Sequence, residues 1–266
     1  MDKLKDLEEE LKRYNKVAIA YSGGVDSNFL LEFSKKVLGK DNVLAILCQG
    51  EMMSNDDLNF AREQLKNIKH YIIHVHPLEI SEFLYNDNTR CYHCKKYIMS
   101  KVKEKANELG YFYILDGKNK DDEKVYRPGA KACQELGIIS PLANNNLTKQ
   151  EIRDYSKDLN IITYNKPANA CLATRFDYGT KLSLEKLEMV DKGEKYLHSL
   201  GIKETRLRVH GDLARIEVNA NDFNILLNNQ ELLDYLNGLG FRFITLDLKG
   251  LKSGGYDENK RDITKA

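Results

Sequence analysis

Two adjacent glycines between an apolar run and an amphipathic one constrain this chain more than any other feature. Val17-Ala18-Ile19-Ala20-Tyr21 leads into Ser22-Gly23-Gly24-Val25-Asp26-Ser27, and Asn28-Phe29-Leu30-Leu31-Glu32-Phe33 follows. The pattern predicts strand, glycine-rich turn and helix in direct succession. Glycine lets the backbone turn sharply and approach a ligand closely. The next helix offers its first N–H groups and positive dipole end to an anion. Ser22 and Ser27 add hydroxyl donors, and Asp26 is placed to hold a magnesium ion or to order the loop. This is a phosphate cradle, but not the GxxxxGK[ST] loop, whose spacing and lysine are missing.

At 266 residues the chain has room for one large domain or two modest ones. Its 41 Lys and Arg nearly balance 40 Asp and Glu, so no global field draws in a polyanion. Nucleic acid is therefore not the expected partner. No apolar run approaches a membrane span, and Met1-Asp2-Lys3-Leu4-Lys5 lacks a signal-peptide core. Five cysteines, an odd number, argue for a reducing compartment and against a disulfide framework. A cytoplasmic protein with no membrane partner is expected.

Leu4, Leu7 and Leu11 recur at helical spacing ahead of the first strand. Strands are then predicted over 17–21, 43–48, 70–75 and 111–115, and helices over 27–38, 55–67, 93–109, 128–136 and 148–159. This alternation implies βαβ units and a parallel sheet covered on both faces. Ligands of such sheets sit beyond the carboxyl ends of the strands, near the order switch. After about residue 180 the pattern changes. A helix over 183–200 precedes a hairpin, 205–210 and 213–218, turning at Gly211-Asp212. A helix over 221–238 and a strand over 242–248 complete a smaller α/β unit, and the polar tail from Lys252 is expected to fray. The expected fold is α/β: a Rossmann-like parallel-sheet domain over 1–180, then a small α/β domain over 181–266.

Asp116-Gly117-Lys118-Asn119-Lys120-Asp121-Asp122 follows an apolar strand, and its carboxylates and asparagine suit magnesium and ribose contacts. Arg127-Pro128-Gly129 presents an arginine on a fixed turn. Cys91-Tyr92-His93-Cys94 is a Cys-x-x-Cys pair set between Arg90 and Lys95-Lys96, and Cys171 lies far along the chain. The pair alone is compatible with zinc or a redox couple. Structural zinc wants four protein ligands, whereas three thiolates match a 4Fe-4S cluster with one iron left open. Cys48 and Cys133 sit in apolar contexts and read as small buried hydrophobes. In the hairpin, alternation puts Arg206, Arg208 and His210 on one face, and Arg215 and Glu217 share a face of the return strand. Three guanidinium groups on a two-stranded surface repel one another, a cost that an anionic ligand relieves.

SGGVDS (22–27) resembles the PP-loop of the ATP pyrophosphatase superfamily, whose members split ATP between the α and β phosphates. RCYHCK (90–95), DGKNKDD (116–122), YRPG (126–129), SPL (140–142), TKQEIR (148–153) and KPANACLATR (166–175) extend the likeness. With RLRVHGDLARIEV (206–218) and LDLKGLKSG (246–254), nearly the whole chain is similar to the LarE family of ATP-dependent sulfur transferases. That resemblance implies an adenine nucleotide alpha hydrolase-like domain that binds ATP and Mg2+ through Ser22, Gly23, Gly24, Val25, Asp26 and Ser27, with Asp116, Gly117, Asn119 and Asp122. It implies as substrate a pyridinium mononucleotide with two ring carboxylates, held by Arg206 and Arg208 with Arg175 and Glu194 near the site. The product is a thiocarboxylate precursor of a nickel-pincer cofactor. Asp26 and Cys171 are the catalytic candidates. Some members consume the cysteine at the position of Cys171. Others carry two further cysteines, as here, so Cys91, Cys94 and Cys171 are expected to hold a 4Fe-4S cluster that takes sulfide from a donor. A homo-oligomer is expected. The sequence departs from the commoner wording at Lys118, Thr174 and Gly255. The competing readings are a cluster-dependent tRNA thiolase, an ammonia-using amide synthetase and a non-catalytic nucleotide-binding module.

Overall fold

The computed structural model describes residues 2–124 and 128–251. Arg127 and Gly255, and the tail from Lys252, lie outside the described residues. The chain forms two compact units, Met1–Phe83 with Asn88–Ala168, and Leu84–Asp87 with Asn169–Ala266.

The first unit opens with α1 (Lys3–Tyr14), whose Leu7 and Leu11 are buried, followed by β1 (Val17–Tyr21), α2 (Val25–Leu38) and β2 (Val43–Gln49). Next come α3 (Asn55–Leu65), β3 (His70–His74), the short α4 (Ser81–Leu84) and α5 (Arg90–Glu108). After β4 (Tyr113–Leu115), α6 (Pro128–Glu135), the short α7 (Pro141–Asn144) and α8 (Lys149–Asp158) complete it. The expected helix at 93 begins three residues earlier, because Thr89 provides the carbonyl for the first turn and accepts from the Tyr92 N–H at 2.9 Å. Cys91 is therefore helical, like Cys94. Conversely, the strand expected from 111 starts only at Tyr113, since the Tyr111 N–H bonds back to the Ala106 carbonyl of α5.

Four parallel strands order as β3-β2-β1-β4. Side chains alternate between the faces with the strand period of two. Val17, Ile19, Val43, Ala45 and Leu47 join Leu7, Leu11, Phe29, Leu30 and Leu31 in one core. Ala18, Leu44, Ile46 and Cys48 join Met99, Val102 and Ala106 of α5 in the other. Burial of each large aliphatic side chain contributes about 1.5–3 kcal/mol, so both faces need their helical cover. The chain winds outward from β1 through β2 to β3, then returns to lay β4 against the other side of β1. The order therefore switches between β1 and β4, which places the crevice between their carboxyl ends.

The second unit holds α9 (Leu184–Ser199), β5 (Thr205–His210), β6 (Leu213–Val218), α10 (Phe223–Leu226), α11 (Gln230–Gly238) and β7 (Phe243–Leu246). β5 and β6 form the expected hairpin, with Gly211 at φ 63° in its turn, and β7 lies parallel to β6. One glycine sets the packing of α9: a Cβ on Gly193 would lie 2.3 Å from Leu207 Cδ2 of β5. The single helix expected over 221–238 is instead broken. Asn228 takes φ 57°, a left-handed conformation that asparagine tolerates, and the Asn229 side chain accepts from the Leu232 N–H to start α11 afresh. Two helix–sheet units thus form, parallel in the first and mixed in the second, in agreement with the α/β expectation. Among the described residues no helix is long and apolar enough to cross a membrane.

Asn229→Ala removes the cap of α11 and is expected to lower unfolding free energy by about 1 kcal/mol. Urea titration followed by circular dichroism measures it, and Asn229→Asp should retain most of the stability.

Candidate active site

β1 delivers the chain into the glycine turn, and α2 starts at once with Gly24 as its N-cap. Gly23 has φ 73°, and a Cβ there would lie 2.7 Å from Ala61 Cβ of α3, so both torsion and space call for glycine. The two serines brace the loop. Ser27 Oγ accepts from the Ser22 N–H at 3.3 Å and donates to the Gly24 carbonyl at 3.2 Å, with Ser22 Oγ 3.1 Å away. Ser27 is buried, whereas Ser22 is exposed. Behind the loop, Tyr21 Oη donates to Asn28 Oδ1 and Asn28 Nδ2 donates to Thr163 Oγ1.

The exit of β4 meets this loop at Gly117. A Cβ on Gly117 would lie 2.9 Å from the Ser27 backbone nitrogen and 3.2 Å from Asp26 Cβ. The structure thereby brings Asp116, Gly117 and Asn119 to the start of α2. Asn119 Nδ2 donates to Asp26 Oδ1 at 3.4 Å. The carboxylates of this stretch do not converge as a cation cage. Asp116 accepts from Ser140 Oγ (2.7 Å) and the Lys118 N–H. Asp122 accepts from the Asn119 N–H, and Asn119 Oδ1 accepts from the N–H groups of Asp121 and Asp122. Asp121 accepts from the Lys149 N–H, and an ion pair with Lys124 helps hold its carboxyl below the ordinary range. Their first duty is to shape a turn. Neither unit, among the described residues, contains three His, Cys, Asp or Glu side chains grouped to hold a metal. Magnesium does not require such a group, because it binds through one or two carboxylates plus substrate phosphates and keeps its other waters. Asp26, in the first turn of α2, fits that mode.

Two lysines complete the first-unit site and were missed in the sequence. Lys149 Nζ lies 2.5 Å from Asp26 Oδ2. It opens α8, whose start is fixed by the Thr148/Glu151 capping box. Lys166 Nζ donates to the Gly23 carbonyl at 3.2 Å, pairs with Asp57 at 3.0 Å and lies over the Phe60 ring. Both stand in segments, TKQEIR and KPANACLATR, that the sequence flagged without assigning the lysines a role.

Cys91 and Cys94 occupy the first turns of α5, three residues apart and so on one helix face. Cys91 is exposed and Cys94 half-buried. The other two cysteines of this unit lie in the core, as expected. Burial pushes the Cys48 thiol up to about 12 and the Cys133 thiol up to about 11, so both stay protonated and unreactive near neutrality.

Cys171 belongs to the second unit, half-buried just ahead of a 3-10 turn over Leu172–Arg175. Arg175, only 1% exposed, meets Glu194 of α9 through Nε (2.7 Å) and Nη2 (3.0 Å). Arg208 meets Glu217 of β6 through Nε and Nη2, both at 3.1 Å. Arg215 adds 2.9 Å to Glu217 and 3.6 Å to Asp247. Arg206 is half-buried and donates to the Thr205 carbonyl; burial, then the Arg175 charge, lowers its proton affinity. The pairing of Arg208 with Arg215 and of Arg206 with Glu217 puts the three arginines on one face of the hairpin, as expected. Arg208 and Glu217 are buried together, and Glu217 with Asp247 offsets the charge of Arg208 and Arg215 within the unit. His210 Nδ1 lies 2.8 Å from Asp177.

Residues 2–106 match the NAD synthase family. Over 96% of its length the chain is 35% identical to the pyridinium-3,5-bisthiocarboxylic acid mononucleotide synthase of Lactiplantibacillus plantarum, covering 93% of that protein. An uncharacterized protein of Synechocystis is 35% identical over 95% of this chain and 96% of its own. Another from Methanocaldococcus jannaschii is 32% identical, over 94% and 96%.

Gly117→Ala forces the exit of β4 off the start of α2. ATP affinity is expected to fall about tenfold or more, as when a 1.4 kcal/mol contact is lost, while far-UV circular dichroism stays unchanged. Isothermal titration with ATP and magnesium measures it.

Proposed function

The chain belongs to the LarE-like family of the PP-loop superfamily, and on that premise we propose that it exchanges oxygen for sulfur on the carboxylates of a pyridinium-3,5-biscarboxylic acid mononucleotide. The observation that carries this reading is the glycine turn and Asp26 set against Gly117 at the order switch of the sheet, in a chain that also bears Cys91, Cys94 and Cys171. A carboxylate resists a sulfur nucleophile because its oxygen leaves poorly. ATP removes that obstacle. A carboxylate oxygen attacks the α phosphorus, the bond to the bridging oxygen breaks, and pyrophosphate departs. Sulfide then attacks the carbonyl carbon, and AMP leaves carrying the former carboxylate oxygen.

The residues have roles that suit this sequence. The Gly23-Gly24 turn and the start of α2 receive the pyrophosphate, where N–H groups and the helix dipole meet developing negative charge. Asp26 holds magnesium, which neutralises phosphate charge, and Asn119 and Lys149 orient that carboxylate. Arg206 takes a substrate anion. For the sulfur, Cys91 and Cys94 present a thiol pair on one helix face, flanked by Lys95, and Cys171 is the third ligand. A bound 4Fe-4S cluster would supply an iron without a cysteine ligand at which hydrosulfide binds.

Incubation with ATP, magnesium, sulfide and the biscarboxylic mononucleotide should yield AMP, pyrophosphate and a thiocarboxylate. Asp26→Asn should slow AMP formation by about a hundredfold or more, and Cys171→Ala should abolish sulfur transfer. ADP as the product, or AMP formed only with bulk tRNA, would contradict the reading. Protein purified without oxygen should carry about four irons per chain, as a 4Fe-4S cluster requires. Iron-free protein that still turns over once, losing the Cys171 sulfur, would instead make Cys171 the consumed donor.

A further inference from the structure

The structure assigns Arg175 and Arg208 a positioning role: together with Glu194 and Glu217 they tether the turn that carries Cys171. Each guanidinium uses one edge for a bidentate carboxylate pair and turns its remaining nitrogen to that turn. Arg175 Nη1 donates to the Ala170 carbonyl at 3.1 Å, to Thr174 Oγ1 at 2.8 Å and to the Cys171 carbonyl at 3.4 Å. Arg208 Nη1 donates to the Thr174 carbonyl at 2.7 Å. Thr174 closes the turn on itself, its N–H and Oγ1 both donating to the Cys171 carbonyl at 2.9 and 2.7 Å.

The carboxylates are anchored in turn. Glu194 projects from α9 and also accepts from the Leu207 N–H at 2.9 Å, while Glu217 projects from β6. Cys171 itself lies outside any helix or strand, so its backbone gains no position from a ladder of regular hydrogen bonds. The planar guanidinium fork is the group that can grip a carboxylate and a carbonyl together in fixed geometry; a lysine ammonium is a point donor on a flexible stem. A buried ion pair adds little net stability beside well-packed apolar residues, but it specifies geometry where every polar partner is in place. Here that geometry is the Cys171 turn. This rests on the sulfur-transfer reading of Cys171, and it gives Arg175 and Arg208 a duty separate from holding a substrate anion.

The test is the alkylation rate of each cysteine in the full chain, reduced and free of metal, treated with iodoacetamide at one pH and resolved by peptide mass spectrometry. Cys91, on α5 of the first unit, is the internal reference. In Arg208→Lys, and in Thr174→Val, which loses both hydrogen bonds of Thr174 Oγ1, the Cys171 rate should rise about fivefold or more, the effect of losing at least one held hydrogen bond from a closed local structure. The Cys91 rate should stay within about twofold, the scatter of a site untouched by either change. Thr174→Val keeps both ion pairs and decides the question if Arg208→Lys fails to fold. An unchanged Cys171 rate in folded Thr174→Val overturns the proposal, and so does an equal rise at Cys91 and Cys171. Neither ATP nor substrate enters the assay, so its failure leaves the sulfur-transfer reading standing, and failure of that reading leaves the tether measurable.

Discussion

The contact between Gly117 and the first turn of α2 is the constraint on which the first unit's site depends. Any side chain at 117 would press on the Ser27 nitrogen and on Asp26, so only glycine lets the exits of β1 and β4 converge. Convergence there follows from topology: β4 returns beside β1 after the chain has wound outward to β3. It sets Asn119 against Asp26, and the DGKNKDD turn reaches on to the start of α8 through Asp121. Lys149, at that start, then reaches the same Asp26 carboxylate. One close approach between two backbones thus aligns a helix N-terminus, a carboxylate and a cation.

The second unit solves a different problem, the burial of several guanidinium groups in a small sheet. Two arginines and two glutamates lie almost fully enclosed, and each pair is bidentate. Breaking such a pair leaves a charge stranded away from water, at a cost of about 3–5 kcal/mol. That penalty makes the arrangement all-or-none, which suits a scaffold better than a mobile ligand-binding arm. Arg206, by contrast, is only half-buried.

Local patterns in the sequence carried the fold far. SGGVDS announced its own strand–turn–helix, the alternation of strands and helices announced the parallel sheet, and Gly211-Asp212 marked the hairpin. A short-range signal with two meanings is harder: Asn228-Asn229 sits inside an otherwise helical pattern, yet asparagine is both a left-handed residue and an N-cap. The partners of the site were harder. Lys149 and Asp26 are separated by 123 positions, and Lys166 and Gly23 by 143, so no periodicity relates them. The balance of charge around Arg215 depends on Asp247, placed by the parallel pairing of β7 with β6. Alternation within the hairpin reveals which arginines share a face; it does not reveal which carboxylates a third strand brings.

Adenylation of a carboxylate is the central claim, and it has an isotopic signature. Substrate labelled with heavy oxygen in its carboxylates should deliver one labelled oxygen to the phosphate of AMP for each thiocarboxylate formed, read by mass spectrometry of the nucleotide. AMP that carries no label while thiocarboxylate accumulates would contradict the account, because sulfur would then have displaced oxygen without passing through an acyl adenylate.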